Sequence, residues 1–127
     1  MGRYFVLTFI AIVIAPQGAL LAAPRIAANE KPLRLARMDY SPARALILKN
    51  GWRPLGGPCS QVDKNTCEHF PEIGSCTMVS PSYCGMVFVK NDQCLYVVTT
   101  GDGPEGNDAG AMKIKSANYR PGPCSKD

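Results

Sequence analysis

The sequence is poor in the groups that most enzymes rely on. It holds one histidine, His69, and one tryptophan, Trp52. Nucleophilic hydrolysis needs a base beside a serine or thiol. Here that role falls to His69 with Ser75 or Ser82, and no Gly-x-Ser-x-Gly elbow presents either serine. Paired carboxylates such as Glu72 with Asp102 or Glu105 would mimic a glycosidase, a pattern that any acid-bearing chain offers. No Cys-x-x-Cys occurs, which argues against structural zinc and against a dithiol oxidoreductase. Asp102, Glu105, Asn107 and Asp108 are oxygen donors, but Pro104 breaks the spacing of a calcium-binding EF-hand loop. A glycine-rich phosphate loop is missing as well. No catalytic residue, metal site or cofactor is therefore expected.

Strong charge is also lacking. The net charge is +4, enough for solubility, and no dense basic patch interleaved with aromatics points to nucleic acid. The excess is uneven: Arg25, Lys31, Arg34, Arg37, Arg44, Lys49 and Arg53 face only Glu30 and Asp39 within residues 24–53. Contact with an anionic lipid or polymer is one reading of that bias; a solvated arm and an ordinary helix face account for it equally, and that is the reading preferred.

Long apolar runs are confined to the start. "MGRYFVLTFIAIVIAPQGALLAA" has a basic residue, an apolar stretch, a Pro-Gln-Gly break and small residues, the order of a secretory signal peptide. Residues 1–23 are read as that signal, residues 24–38 as a flexible basic arm with a short helical stretch at Leu33–Met38, and residues 39–127 as one disulfide-braced domain. Once the signal is removed, no membrane span is expected, and the destination is the periplasm or the exterior. A retained N-terminal anchor is the alternative.

Within the domain, "DYSPARALILKNGW" carries helix signals. Ser41 suits the cap, Pro42 the first helical position, and Gly51 the left-handed stop. Ala43, Leu46 and Ile47 recur at helical spacing, with Leu48 widening the stripe. Trp52, directly after the stop, reads as a seal on a small core. "CGMVFVKNDQCLYVVTTGDG" reads as a hairpin, with Met86 and Phe88 on one face and Leu95, Val97 and Thr99 alternating after the turn. A weak strand is expected near Thr77–Val79, a long turn-rich loop at "GDGPEGNDAGAM", and a last strand in "AMKIKSANY". The class is α+β: a small disulfide-stabilised domain, one short helix packed on an antiparallel sheet of three or four strands.

The chain is rich in cysteine for its length, with six: Cys59, Cys67, Cys76, Cys84, Cys94 and Cys124. An even set in an exported chain reads as disulfides, and a small domain needs such staples because it buries little core. The favoured pairing is Cys59–Cys67, Cys76–Cys84 and Cys94–Cys124. The rival joins Cys84 to Cys94 across the hairpin.

The pattern resembles a family of small exported proteins of Gram-negative bacteria. The residues that carry the resemblance are "ARALILKNGWRP" with its Gly-Trp-x-Pro, the loop "CSQVDKNTC", the segment "FPEIGSCTMVSPSYC" and "CLYVVTTGDG". It implies export and a periplasmic home. Cys94 and the long acidic, glycine-rich loop depart from the pattern, which leaves Cys94–Cys124 as the least secure pair.

The function expected is an exported binding or interaction protein, its partner a periplasmic or envelope protein, with contact residues Trp52, Arg53, Tyr83 and Tyr96. One form of this is a hydrolase inhibitor that inserts a stapled loop, Gln61–Asn65 or Ser80–Ser82, into a cleft. The alternatives are a structural or envelope-stress protein without a small ligand, and a hydrolase acting on cell-wall sugar or peptide.

Overall fold

The computed structural model describes residues 31–77 and 79–126. The expected signal peptide and most of the expected arm lie outside them. In chain order the elements are α1 (Tyr40–Lys49), β1 (Arg53–Pro54), α2 (Lys64–His69), β2 (Ile73–Cys76), β3 (Tyr83–Lys90), β4 (Gln93–Thr100) and β5 (Lys113–Pro121). The sheet is antiparallel throughout. Strand β3 pairs with β4, and β4 with β5. On its other side β3 is shared: Arg53 and Pro54 lie opposite Val89 and Phe88, and Ile73 to Cys76 lie opposite Met86 to Cys84. The result is an α+β domain with α1 over an antiparallel sheet and three disulfides.

The hairpin follows the alternation of its residues. Met86 lies opposite Val97 and Phe88 opposite Leu95, and all four side chains are buried. Met112, just before β5, and Ile114 within it join the same core, as do Ala43, Ile47 and Tyr40 of α1. Leu48 is exposed rather than part of the helix's buried stripe.

Helix α1 starts earlier than its sequence signals imply. Its cap is Asp39, not Ser41, and Pro42 is the third helical residue. Pro42 is tolerated there because the first four amides of a helix have no partner within it. The shift comes from the sheet: the Tyr40 amide donates to Met112 O (2.9 Å) and Ile114 donates to Met38 O (2.8 Å), so the chain enters the helix directly from the edge of β5. The helix stops as its sequence implies. Gly51 has φ +83°, its amide reaches Leu48 O (3.0 Å), and the Trp52 amide reaches Ile47 O (3.3 Å). This reciprocal pair of bonds closes a left-handed helix end.

Residues 33–38 correct the expectation of a flexible arm reaching Met38. Leu35 is buried, Leu33 and Met38 pack against the core, and Arg37 donates its amide to Ile114 O (2.9 Å). The segment forms a turn rather than a helical stretch. Its apolar residues are spaced for one sheet edge, which fixes it in place. Helix α2 and strand β2 fall in a region expected to be loop. The weak strand expected at Thr77–Val79 is displaced to Ile73–Cys76, and the peptide bonds before Pro81 and Pro123 are cis.

The disulfides are Cys59–Cys67, Cys76–Cys84 and Cys94–Cys124, with Cα separations of 5.8, 4.1 and 5.5 Å. The cross-hairpin rival is ruled out by register, since Cys84 faces Thr99 while Cys94 faces Val89. The third bridge holds residues 122–126 against the sheet face away from α1. There the backbone of Lys126 comes so close to Gly74 that an added Cβ would sit 2.8 Å from its carbonyl oxygen. Only glycine admits that approach. Lys126 Nζ then reaches Gly57 O (3.0 Å) and Pro58 O (3.4 Å), and partial burial draws its ammonium below the usual lysine range.

Candidate interaction site at the loop end of the sheet

The β2–β3 loop is a closed ring. Cys76 and Cys84 are ladder partners and are also joined by their disulfide, so both ends of residues 77–83 are fixed. Just above the disulfide, hydrogen bonds cross the ring. The Thr77 amide donates to Tyr83 O (2.7 Å), the Tyr83 amide to Thr77 Oγ1 (2.9 Å), and Ser82 Oγ to Thr77 O (2.9 Å). Gly101 on the neighbouring strand end donates to Ser82 O (3.1 Å). These bonds leave the tip outward. Val79 is 65% exposed, the most exposed large apolar side chain among the described residues. Ser80 and Pro81 beside it are exposed too.

Two further loops flank the ring. Gln61, Val62, Thr77, Ser82, Gly103, Pro104 and Glu105 line a shallow hollow of about 250 Å³. Both loops singled out as cleft-entering candidates, Gln61–Asn65 and Ser80–Ser82, therefore contribute to one end of the molecule. The flanking loops are firmly held. Cys59–Cys67 staples the first to α2. The α2 cap residue Asp63 accepts from the Thr66 amide (3.0 Å) and hydroxyl (2.5 Å), and these bonds hold its carboxylate below the usual range. The buried Thr66 hydroxyl accepts in turn from the Gly106 amide (2.8 Å), which pins the long glycine-rich loop to α2. Composition could have revealed the cap: Asp63 followed by Thr66 is a helix-start pattern, hidden inside a cysteine-bounded loop.

The structure separates the four residues expected to make contacts. Trp52 is 4% exposed, with its ring 5.6 Å from that of Tyr119. It seals the core and offers no platform. The register sets Arg53, Tyr83 and Tyr96 on the sheet face away from α1. Tyr83 lies under Lys115 Nζ (4.5 Å) and Tyr96 under the Arg120 guanidinium (5.1 Å). Only Tyr83 adjoins the ring, at its base.

No catalytic constellation is assembled from the groups noted in the sequence. His69 is exposed at the end of α2, with Nδ1 2.9 Å from Asn65 O. Ser82 donates to Thr77 O as described. Asp108 accepts from the Gly110 amide (2.9 Å), and Glu105 and Asp108 exchange backbone bonds, which is turn chemistry. Among the described residues, no three His, Cys, Asp or Glu side chains gather as a metal site requires.

Glu72 does not meet Asp102 or Glu105 as a paired acid. It is fully buried and held by two other groups: Tyr40 donates its hydroxyl to Oε1 (2.6 Å), and Arg44 grips both carboxylate oxygens. Arg44 also stacks over Phe70, 5.4 Å from the ring centroid. The bond to Glu72 raises the Arg44 pKa. Burial, reinforced by the Glu72 charge, pushes the Tyr40 phenol well above the usual tyrosine range. Every acceptor is occupied, so the cluster is a clamp between α1 and the start of β2 rather than a reactive site.

No protein-family model, curated protein or solved structure matches the chain. Among the described residues, no helix is long and apolar enough to cross a membrane.

Proposed function

We propose that this chain is an exported binding protein that offers the Thr77–Ser82 ring to a protein partner in the bacterial envelope. The observation that carries this reading is an exposed aliphatic tip on a loop whose base is fixed by a disulfide and by cross-ring hydrogen bonds. Covering an exposed valine removes apolar area from water, which is favourable in proportion to the area buried. A loop already ordered loses little entropy when it docks. Export rests on the N-terminal signal pattern, on the likeness to small exported proteins of Gram-negative bacteria, and on three disulfides, which form in oxidising compartments.

The test is site-specific photo-crosslinking. A benzophenone side chain at position 79, in the full oxidised chain expressed with its own N-terminus, should give a discrete adduct in the envelope fraction. Excess unmodified protein should compete it away. The same group at Leu48, an exposed apolar residue on α1, should give none. Equal, uncompeted labelling at both positions would refute the reading.

A further inference from the structure

We infer that the open edge of β5, residues 116–120, pairs with the same edge of a second copy of this chain, joining two sheets into one across a two-fold axis at Asn118. The inference does not draw on the ring, which joins β2 to β3 at the other side of the sheet.

The hydrogen bonds fix which way each backbone group of β5 points. Val87 donates its amide to Glu72 O (2.9 Å) and accepts at its carbonyl from the Leu55 amide (2.9 Å), so its backbone turns away from β4. Its ladder partner Tyr96 therefore turns away from β3 and towards β5, where it lies opposite Asn118. This orientation alternates along an antiparallel ladder. Ser116, Asn118 and Arg120 thus bond to β4, while Ala117 and Tyr119 direct their N–H and C=O groups off the edge. Earlier in β5 the edge is covered: Ile114 donates to Met38 O (2.8 Å) and accepts from the Arg37 amide (2.9 Å). The register then shifts between Ile114 and Ser116, leaving Lys115 without a ladder partner. From Ser116 on, nothing among the described residues bonds to the outward groups of Ala117 and Tyr119. Sheets usually guard such an edge with bulges, prolines or covering segments. Here the irregularity at Lys115 and Pro121 stand at the two ends of the window and leave its middle open.

A second copy fits because the window is complementary to itself. About a two-fold axis at Asn118, Ala117 lies opposite the second copy's Tyr119 and Tyr119 opposite its Ala117, and each pair exchanges both of its N–H···O=C bonds. On the α1 face the Tyr119 ring, 37% exposed in the single chain, then lies against a half-buried alanine, large on small. On the other face Asn118 meets Asn118 and Arg120 meets Ser116, so no cation is set directly against a cation. Neighbouring registers lose this match. With the axis at Ala117, Tyr119 falls against the irregular Lys115. With the axis at Tyr119, Ala117 falls against Pro121, which has no N–H to give. Both copies use the same edge, so assembly closes at two chains. A window this short buries less than the roughly 1,200 Å² of lasting complexes. The dimer is therefore weak, with a dissociation constant on the order of 100 µM.

The experiment is sedimentation of the full oxidised chain from about 10 µM to about 1 mM, a range that brackets that constant. The mass should rise from one chain towards two and no further. Ala117→Pro removes an N–H that points off the edge and spares the ladder to β4, so the variant should fold and stay a single chain. A second measurement does not depend on that variant. In the paired edge the two Asn118 Cα atoms stand about 4.5 Å apart, within disulfide reach. Asn118→Cys should therefore form a bridged dimer under mild oxidation with the three native bridges intact, whereas Ser116→Cys, set against Arg120, should not. Constant single-chain mass up to the highest concentration would overturn the inference. So would a folded Ala117→Pro that dimerises like the parent, or equal bridging by Ser116→Cys and Asn118→Cys.

Discussion

At the scale of single residues, the most demanding group is Glu72. A fully buried carboxylate is stable only while its charge is met, and Arg44 and Tyr40 both meet it. Arg44→Met keeps much of the stem that packs on Phe70 but removes the counter-charge. It should cost about 3 kcal/mol, the low end for a broken buried pair because Arg44 is itself 24% exposed, as read from urea unfolding. Tyr40→Phe removes one bond to a charged acceptor and should cost about 1.5–3 kcal/mol. Its pH signature is distinct. The folded state holds the Tyr40 phenol above its ordinary pKa, so its contribution is complete below that value and declines as pH rises past it, where the unfolded chain ionises first. Stability should therefore fall above about pH 10, and Tyr40→Phe should flatten that alkaline decline. An equally steep decline in both proteins would contradict the assignment.

At the scale of elements, the left-handed helix end is the sharpest local device. Gly51→Ala places a Cβ at φ +83° and should destabilise by about 1 kcal/mol, visible as a lower urea midpoint with unchanged slope. That end was legible in the sequence because Asn50-Gly51-Trp52 combines a stop, a permissive residue and an apolar follower. The β3–β4 hairpin was legible because Met86, Phe88, Leu95 and Val97 alternate over two full strands. Helix α2 and strand β2 were not. "KNTCEH" and "IGSC" are too short to show a period, and cysteines and glycine mask their propensities. The sequence signals place the cap of α1 two residues late, at Ser41 instead of Asp39, because the deciding bonds, from Tyr40 to Met112 and from Ile114 to Met38, join residues far apart in sequence. The ring itself was half-visible. Its cysteines and turn residues marked a stapled loop, but only the fold shows that Thr77 and Tyr83 brace it and that Val79 stands clear.

At the scale of the whole molecule, covalent ties do work that a larger interior would otherwise do. Cys94–Cys124 closes the longest loop and straps the C-terminal residues over the sheet face away from α1, where Val87 is buried. Replacing both cysteines with alanine should cost about 3.5–4 kcal/mol in urea unfolding, in line with a loop of that length. The central claim is that the ring is ordered before any partner arrives. Amide hydrogen exchange at Thr77 and Tyr83 in the free, oxidised chain tests it most directly. Both amides should be strongly protected relative to Val79 and Ser80; exchange of all four at the rates of an unstructured peptide, with the Cys76–Cys84 bond intact, would contradict it.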